Sequence, residues 1–235
     1  RIMDIIKKLA QELAIKEEQA KAAVQLIDEG NTIPFIARYR KEMTGALNDE
    51  TLRNLHERLL YLRNLEEKKE QVINAITDQG KMTEDLKKKI LSAETLVAVD
   101  DLYRPYRPKK QTRATKAKEK GLEPLANILL LQKTTKSMEE EAAAFVNAEK
   151  GVANAKEAIA GAKDIIAEMI ADMADYRKSI RNCTMKQGSL VVKAKDEKAE
   201  SVYEMYYDFR EPLSKVTGYR VLAINRGEKE KFLTV

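Results

Sequence analysis

The chain has 235 residues, of which 43% are hydrophobic and 34% charged, a balance that suits a soluble globular protein. Its 43 basic and 38 acidic residues leave a net charge of only +5, which excludes a bulk polycation, so any contact with nucleic acid has to come from local clustering. A single cysteine, Cys183, excludes an intrachain disulfide, no apolar run approaches the ~18 residues of a membrane span, and the scarcity of Gly and Pro favours long helices over a many-turned β fold.

The opening Arg1-Ile-Met-Asp4 is not followed by a signal-peptide pattern. Residues 3–14 place Ile5, Ile6, Leu9 and Leu13 on one helical face, and residues 17–29 repeat the pattern with Ala20, Ala23, Val24 and Ile27. The short joint at Ala14–Lys16 predicts a helix-turn-helix arrangement, with Gly30 as the cap that ends it. Thr32 to Gly45 then forms a short basic and aromatic helix. Pro34 can open it, Phe35, Ile36 and Tyr39 make its apolar face, and Arg38, Arg40 and Lys41 supply charge.

Asn48 caps a long central helix that runs to Gly80, a rod of about 45 Å at 1.5 Å per residue. Its seam of Leu52, Leu55, Leu59, Leu62, Ile73 and Ile76 is interrupted by Glu66-Glu67-Lys68-Lys69-Glu70, which reads as a solvated stretch with local ion pairs. Thr83 and Thr95 cap two shorter helices. Tyr103-Arg-Pro-Tyr-Arg-Pro-Lys-Lys-Gln-Thr-Arg113 cannot be ordinary helix, because each residue before a proline is pushed out of the helical region.

From Arg104 to Lys120 the sequence holds eight Lys/Arg residues and one acid, Glu119, the strongest charge asymmetry in the chain. Gly121 ends a basic helix, and Pro124 opens the next with Leu125, Ile128, Leu129 and Leu131 inward. Ser137 and Glu140 read as a capping box for a helix through Ala148, and Asn154 caps a longer one in which Ala160-Gly161-Ala162 offers a close backbone approach. A helix over Tyr176–Met185, an extended Leu190-Val-Val192, a helix over Glu197–Tyr207 with Val202, Met205 and Tyr206 inward, and a short helix over Tyr219–Asn225 stopped at Gly227 complete the chain. Lys231 to Val235 reads as the start of a strand.

No catalytic or metal-ligating set emerges from these residues. The only histidine, His56, lies mid-helix with nothing placing it beside Cys183, and adjacent Asp100 and Asp101 point in different directions on a helix, as partners for Arg104 and Arg107. Neither a Gly-rich phosphate loop nor a nucleophile elbow is present, so the chain is read as a non-enzyme without cofactor. Arg107, Lys109, Lys110, Arg113 and Lys116 can instead track a phosphate backbone, with Tyr103 and Tyr106 stacking on unpaired bases. Two other readings account for the same residues: contact with an acidic protein surface, or tyrosines that pack the segment down while the charges stay in solvent.

Glu29-Gly30-Asn31 followed by Thr32-Ile-Pro-Phe-Ile-Ala-Arg-Tyr-Arg-Lys-Glu-Met-Thr-Gly45 resembles the N-terminal region of the Tex family of transcription accessory proteins. Asp101-Leu-Tyr-Arg-Pro-Tyr-Arg-Pro-Lys-Lys110, Gly121-Leu-Glu-Pro-Leu-Ala126, Ala158 to Glu168 and Leu222-Ala-Ile-Asn-Arg-Gly-Glu228 agree in order and spacing. Tyr219 stands where that family often has a histidine, and Thr115 is followed by Lys116-Ala-Lys118, more basic than the usual pattern.

The resemblance implies a multihelical region with a helix-turn-helix element, from a bacterial cytoplasmic protein associated with transcription and RNA binding. It implies RNA or DNA, and transcription machinery such as RNA polymerase, as partners, with no membrane. It also implies that ribonuclease H-like, helix-hairpin-helix and S1-type domains follow, the last being the family's main nucleic-acid binder. The resulting expectation is an all-α array with one long central helix, at most a short extended segment near 189–193, and parts at 1–120 and 121–235. Its contacts would be Arg38, Arg40, Lys41, Tyr103, Tyr106, Arg107, Lys109, Lys110, Arg113 and Lys116. The alternative is a scaffold that meets only other proteins.

Overall fold

The computed structural model describes residues 4–235, and Met3 of the first expected helix lies outside them. The described residues form thirteen α-helices and one three-stranded sheet, divided into two compact units, one ending at Lys109 and one spanning Lys110–Val235.

The first unit holds α1 (Ile5–Leu13), α2 (Glu17–Asp28), α3 (Ile33–Tyr39), α4 (Lys41–Thr44), α5 (Asp49–Asp78), α6 (Glu84–Ser92) and α7 (Leu96–Tyr103), with a 3-10 turn over Arg104–Tyr106. Helix starts follow the capping residues legible in the sequence: the side chains of Asn48, Thr83 and Thr95 accept the backbone N–H groups of Thr51, Leu86 and Ala98. The thirty-residue α5 is the element on which α1, α2, α3, α6 and α7 pack.

Its buried face reads Leu52, Leu55, Leu59, Leu62, Leu65, Lys69, Val72 and Ile76, in steps of three or four without a gap. The stretch Glu66–Glu70 is therefore not simply solvated, as the charge pattern predicts. Lys69 is 2% exposed; its stem continues the apolar seam, and its Nζ donates to the Leu91 carbonyl at 2.8 Å and faces Glu66 at 3.2 Å. A buried ammonium is tolerable only with such partners.

Two bidentate ion pairs hold α1 and α2 to α5. Arg58 donates to Glu12 at 2.6 and 2.8 Å, and Arg63 donates to Asp28 at 2.7 Å through both nitrogens. Hydrogen bonds from these guanidiniums hold both carboxyls below their ordinary values of 4.5 and 3.8, against the opposing pull of desolvation.

The second unit holds α8 (Arg113–Glu119), α9 (Glu123–Leu131), α10 (Met138–Ala143), α11 (Ala155–Ala171), α12 (Ala174–Gln187), β1 (Ser189–Ala194), β2 (Asp208–Pro212), α13 (Gly218–Lys229) and β3 (Leu233–Thr234). The sequence reading divides the chain at 120/121, but Ala114 and Ala117 of α8 bury in the second unit's core with Leu122, Leu125, Ala126, Ala158, Ala162 and Ile165. Leu131, read as inward, is exposed, and α10 stops at Ala143 rather than Ala148 because Asn147 and Val152 pair across a tight turn.

Extended structure exceeds a single segment. β1 is the central strand of an antiparallel sheet in the order β2-β1-β3, with Val192 opposite Phe209 and Ala194 opposite Leu233. The expected helix over Glu197–Tyr207 is a turn and a 3-10 segment at Glu204–Tyr206: of the three residues read as inward, Val202 and Met205 are exposed and Tyr206 is buried, together with Tyr203. The helix expected to stop at Gly227 runs on to Lys229. A Cβ at Gly227 would lie 2.5 Å from Leu233 Cδ1, so this glycine admits β3 rather than ending α13.

Two tests follow from the first unit. Lys69→Met keeps the apolar stem but strands the Leu91 carbonyl; we expect a loss of about 1–3 kcal/mol in urea unfolding, where a solvated lysine would lose nothing. For the ion pairs, a lowered native pKa means stability that is fully present above the unfolded value and lost as the pH falls through the native one. Glu12→Gln/Asp28→Asn should therefore be less stable than wild type at neutral pH, by under ~1 kcal/mol per partly exposed pair. The difference should close as the pH drops below 4.5 and 3.8, read from urea midpoints across a pH series.

Candidate nucleic-acid interface

The ten sequence-predicted contact residues fall into separate groups. The first comprises Arg38, Arg40 and Lys41. Thr32 caps α3 and Ile36 anchors it in the core, fully buried. The expected single helix is two, because Arg40 leaves helical geometry at φ −128° and ψ 29°.

Thr44 is buried and Gly45 takes φ +65°, where Gln19 from α2 donates to the Thr44 and Gly45 carbonyls at 3.1 and 3.3 Å. The break turns the Arg40 guanidinium over the Phe35 ring at 4.9 Å. Phe35 stacks tilted on Tyr39 at 5.3 Å, and Arg38 lies 5.9 Å from the Tyr39 ring. Among the described residues no acid lies in ion-pair range of Arg38, Arg40 or Lys41. Arg40 donates to the Tyr39 carbonyl at 3.0 Å, and the three cations stand beside a cleft of about 620 Å³ that Pro34, Phe35, Arg38, Tyr39, Lys41 and Asp49 help to line.

The second group is Tyr103, Tyr106, Arg107 and Lys109, at the end of the first unit. Both tyrosines are half-buried against the first core, and Gln79 donates to the Tyr106 carbonyl at 2.7 Å. Lys68 and Arg107 flank the Tyr103 ring at 6.0 and 5.6 Å, and both face Asp100, at 3.4 and 3.6 Å. The Tyr103 ring thus already carries cations. Lys109 is exposed.

Lys110, Arg113 and Lys116 belong to the second unit. Thr112 starts α8 in a reciprocal cap with Thr115, and its hydroxyl donates to Glu168 of α11 at 2.8 Å. Ala114 and Ala117 then face α11, which leaves Arg113, Lys116 and Lys120 along one outer edge at helical spacing. Arg113 faces Asp164 at 3.5 Å, while Lys110 and Lys116 have no acid in ion-pair range among the described residues.

Sequence reasoning passed over Lys120, which lines a cleft of about 410 Å³ between α8, the turn over 147–152 and α11, and Lys150, whose Nζ reaches toward Gly121. The signal was there: each precedes a glycine, Gly121 and Gly151, and both glycines take positive φ, +76° and +78°.

His56 is half-buried on α5 and Cys183 is exposed on α12, in different units. Among the described residues no three His, Cys, Asp or Glu side chains converge as a metal site, and no helix is long and apolar enough to cross a membrane.

Comparison with known proteins then decides the family. A family model for the Tex-like protein N-terminal domain matches residues 3–77, and one for the Tex central region matches residues 133–235. The chain belongs to the Tex family. It is 46% identical over 228 residues to Protein YhgF of Escherichia coli, covering 96% of this chain and 29% of that protein. It is 41% identical over 236 residues to the transcriptional accessory protein Tex of Neisseria gonorrhoeae, covering 99% and 31%. The human S1 RNA-binding domain-containing protein 1 is 32% identical over 242 residues, covering 99% and 24%. The chain thus spans about a third or less of the length of these Tex-family relatives.

The position of α8 is set by small residues. A Cβ at Gly161 of α11 would collide with Leu122 Cδ1 and lie 3.4 Å from Ala117 Cβ, and Leu122 is itself buried. Gly161→Ala should therefore cost about 1–2 kcal/mol despite alanine's better helix propensity, with partial recovery in Gly161→Ala/Leu122→Ala. Thermal unfolding of wild type and both variants checks it; a stabilised Gly161→Ala would show that α8 and α11 do not need this approach.

Proposed function

We propose that this chain is the N-terminal helical part of a cytoplasmic transcription accessory protein, and that it touches RNA or DNA through phosphate-directed cations while the protein works beside RNA polymerase. The role is binding and not catalysis. One observation carries the reading: Arg38, Arg40 and Lys41 in the first unit, and Lys110 and Lys116 in the second, are held by packed helices or their immediate flanks, yet none has an acid in ion-pair range among the described residues. In a chain of 43 basic and 38 acidic residues, cations left unpaired in groups are a local excess that polyanions can use. The names of two relatives, a transcriptional accessory protein and an S1 RNA-binding domain-containing protein, support the same direction.

A second reading, a scaffold for other proteins, has its own support. Helix α12 buries none of its residues, its Tyr176 and Ile180 are exposed one turn apart, and Met169 and Met173 beside the joint with α11 are exposed too.

The two readings separate in a binding titration of the chain against single-stranded RNA, single-stranded DNA and duplex DNA at several salt concentrations. We expect binding that weakens steeply with salt. The slope should be flatter in Arg38→Glu/Lys41→Glu and in Lys110→Glu/Lys116→Glu, by about 0.7 for each single-strand phosphate that the variant no longer neutralises. No binding of the wild-type chain at low salt would leave the scaffold reading.

A further inference from the structure

Two turns of the second unit are built alike and face each other. In one, Lys120 and Gly121 connect α8 to α9; in the other, Lys150 and Gly151 close the loop between Asn147 and Val152. A Cβ placed at Gly121 would lie 3.4 Å from Lys150 Nζ, and one placed at Gly151 would lie 3.6 Å from Lys120 Cε and 4.0 Å from its Nζ. Each lysine therefore reaches across the other's glycine. The turn that carries Lys150 is fixed by paired backbone bonds between Asn147 and Val152, both at 2.9 Å, and by the Asn147 side chain accepting from the backbone N–H groups of Glu149 and Lys150.

The adjoining cleft carries more positive than negative charge. Its two carboxylates are engaged, Glu157 accepting the Ala153 N–H at 2.9 Å and Asp164 facing Arg113 at 3.5 Å. Lys116, Lys120 and Lys150 have no acid in ion-pair range among the described residues. Because neither glycine carries a side chain, each lysine can lie across the opposite turn, which brings positive charge to both turns.

We propose that these paired Lys-Gly turns clamp a phosphate of a nucleic-acid backbone, with Lys120 and Lys150 on the phosphate and Lys116 at the mouth of the cleft. The proposal deepens the nucleic-acid reading above and rests on it. The cleft is open and larger than one oxyanion needs, as a chain of phosphodiesters passing through requires, and lysines act as rotatable point charges suited to an unspecific backbone.

The test is fluorescence anisotropy of a labelled single-stranded RNA against the 235-residue chain over a salt series, for wild type, Lys120→Gln/Lys150→Gln and Lys120→Arg/Lys150→Arg. Both lysines are exposed, so circular dichroism should show every variant folded. We expect the glutamine pair to weaken binding roughly tenfold and lower the salt slope by about 0.7–1.4, and the arginine pair to stay within about twofold of wild type. Wild-type binding left unchanged by the glutamine pair overturns the clamp while the broader reading stands; no wild-type binding at low salt overturns both. A parallel titration with inorganic pyrophosphate distinguishes the source of the phosphate: a lysine-dependent pyrophosphate complex with RNA affinity untouched overturns the backbone assignment.

Discussion

The first unit depends on one face of α5 being apolar along its whole length, and that continuity rests on a lysine. Between Leu65 and Val72 the three-and-four spacing demands a core residue, and Lys69 supplies four methylenes to the seam before its ammonium reaches the Leu91 carbonyl and Glu66. The end of α6 is thereby tied to α5 at the level where a leucine would offer packing alone. Tyr61, whose hydroxyl accepts the Leu96 N–H at 3.0 Å, makes the same kind of link to the first turn of α7. A helix of this length gains its place in a fold through such polar anchors as much as through burial, because hydrophobic contact alone does not fix the register of one helix on another.

The second unit solves the same problem with absence of bulk. Ala114 and Ala117 on α8 meet Ala158, Gly161 and Ala162 on α11, so the basic helix comes close enough for its outer edge to be rigidly presented. The cations on that edge are placed by residues that carry no charge. In the first unit an equivalent outcome has another cause: Arg40 breaks the helix, and the break stacks its guanidinium on Phe35.

Much of this was legible in the sequence because it is local. Asn48, Thr83, Thr95, Ser137 and Asn154 cap helices where their side chains imply, and α5 begins and ends where the apolar periodicity does. Pro108 follows an extended Arg107 and ends the helical run as steric reasoning places it, whereas Arg104 before Pro105 keeps helical geometry at φ −50° and ψ −44° and Pro105 sits inside the 3-10 turn. What was not legible is non-local. Lys69 looks solvated until Leu91, twenty-two residues away, is placed beside it. Glu197–Tyr207 has a helical apolar spacing, but Val202 and Met205 face solvent because Tyr203 and Tyr206 are taken by the sheet's core. Gly227 resembles a stop until Leu233 packs on it. Of the candidate interface, the basic character of 104–120 was plain, while its partition between two units and the partner turn at Lys150 depend on tertiary structure.

The sheet has a consequence for the order in which the protein can be made. β1 ends at Ala194 and pairs on one side with β2, but its other neighbour, β3, starts only at Leu233, and Leu233 also fills the space that Gly227 leaves open. During synthesis from the N-terminus, α1 to α7 have their full set of core partners long before this point, whereas the core of Val192, Tyr203, Tyr206 and Ile224 stays uncovered until the ribosome has added the residues of β3. A nascent chain of this protein therefore carries the core partners of α1 to α7 while β1 still presents an unpaired edge on the side that β3 will take.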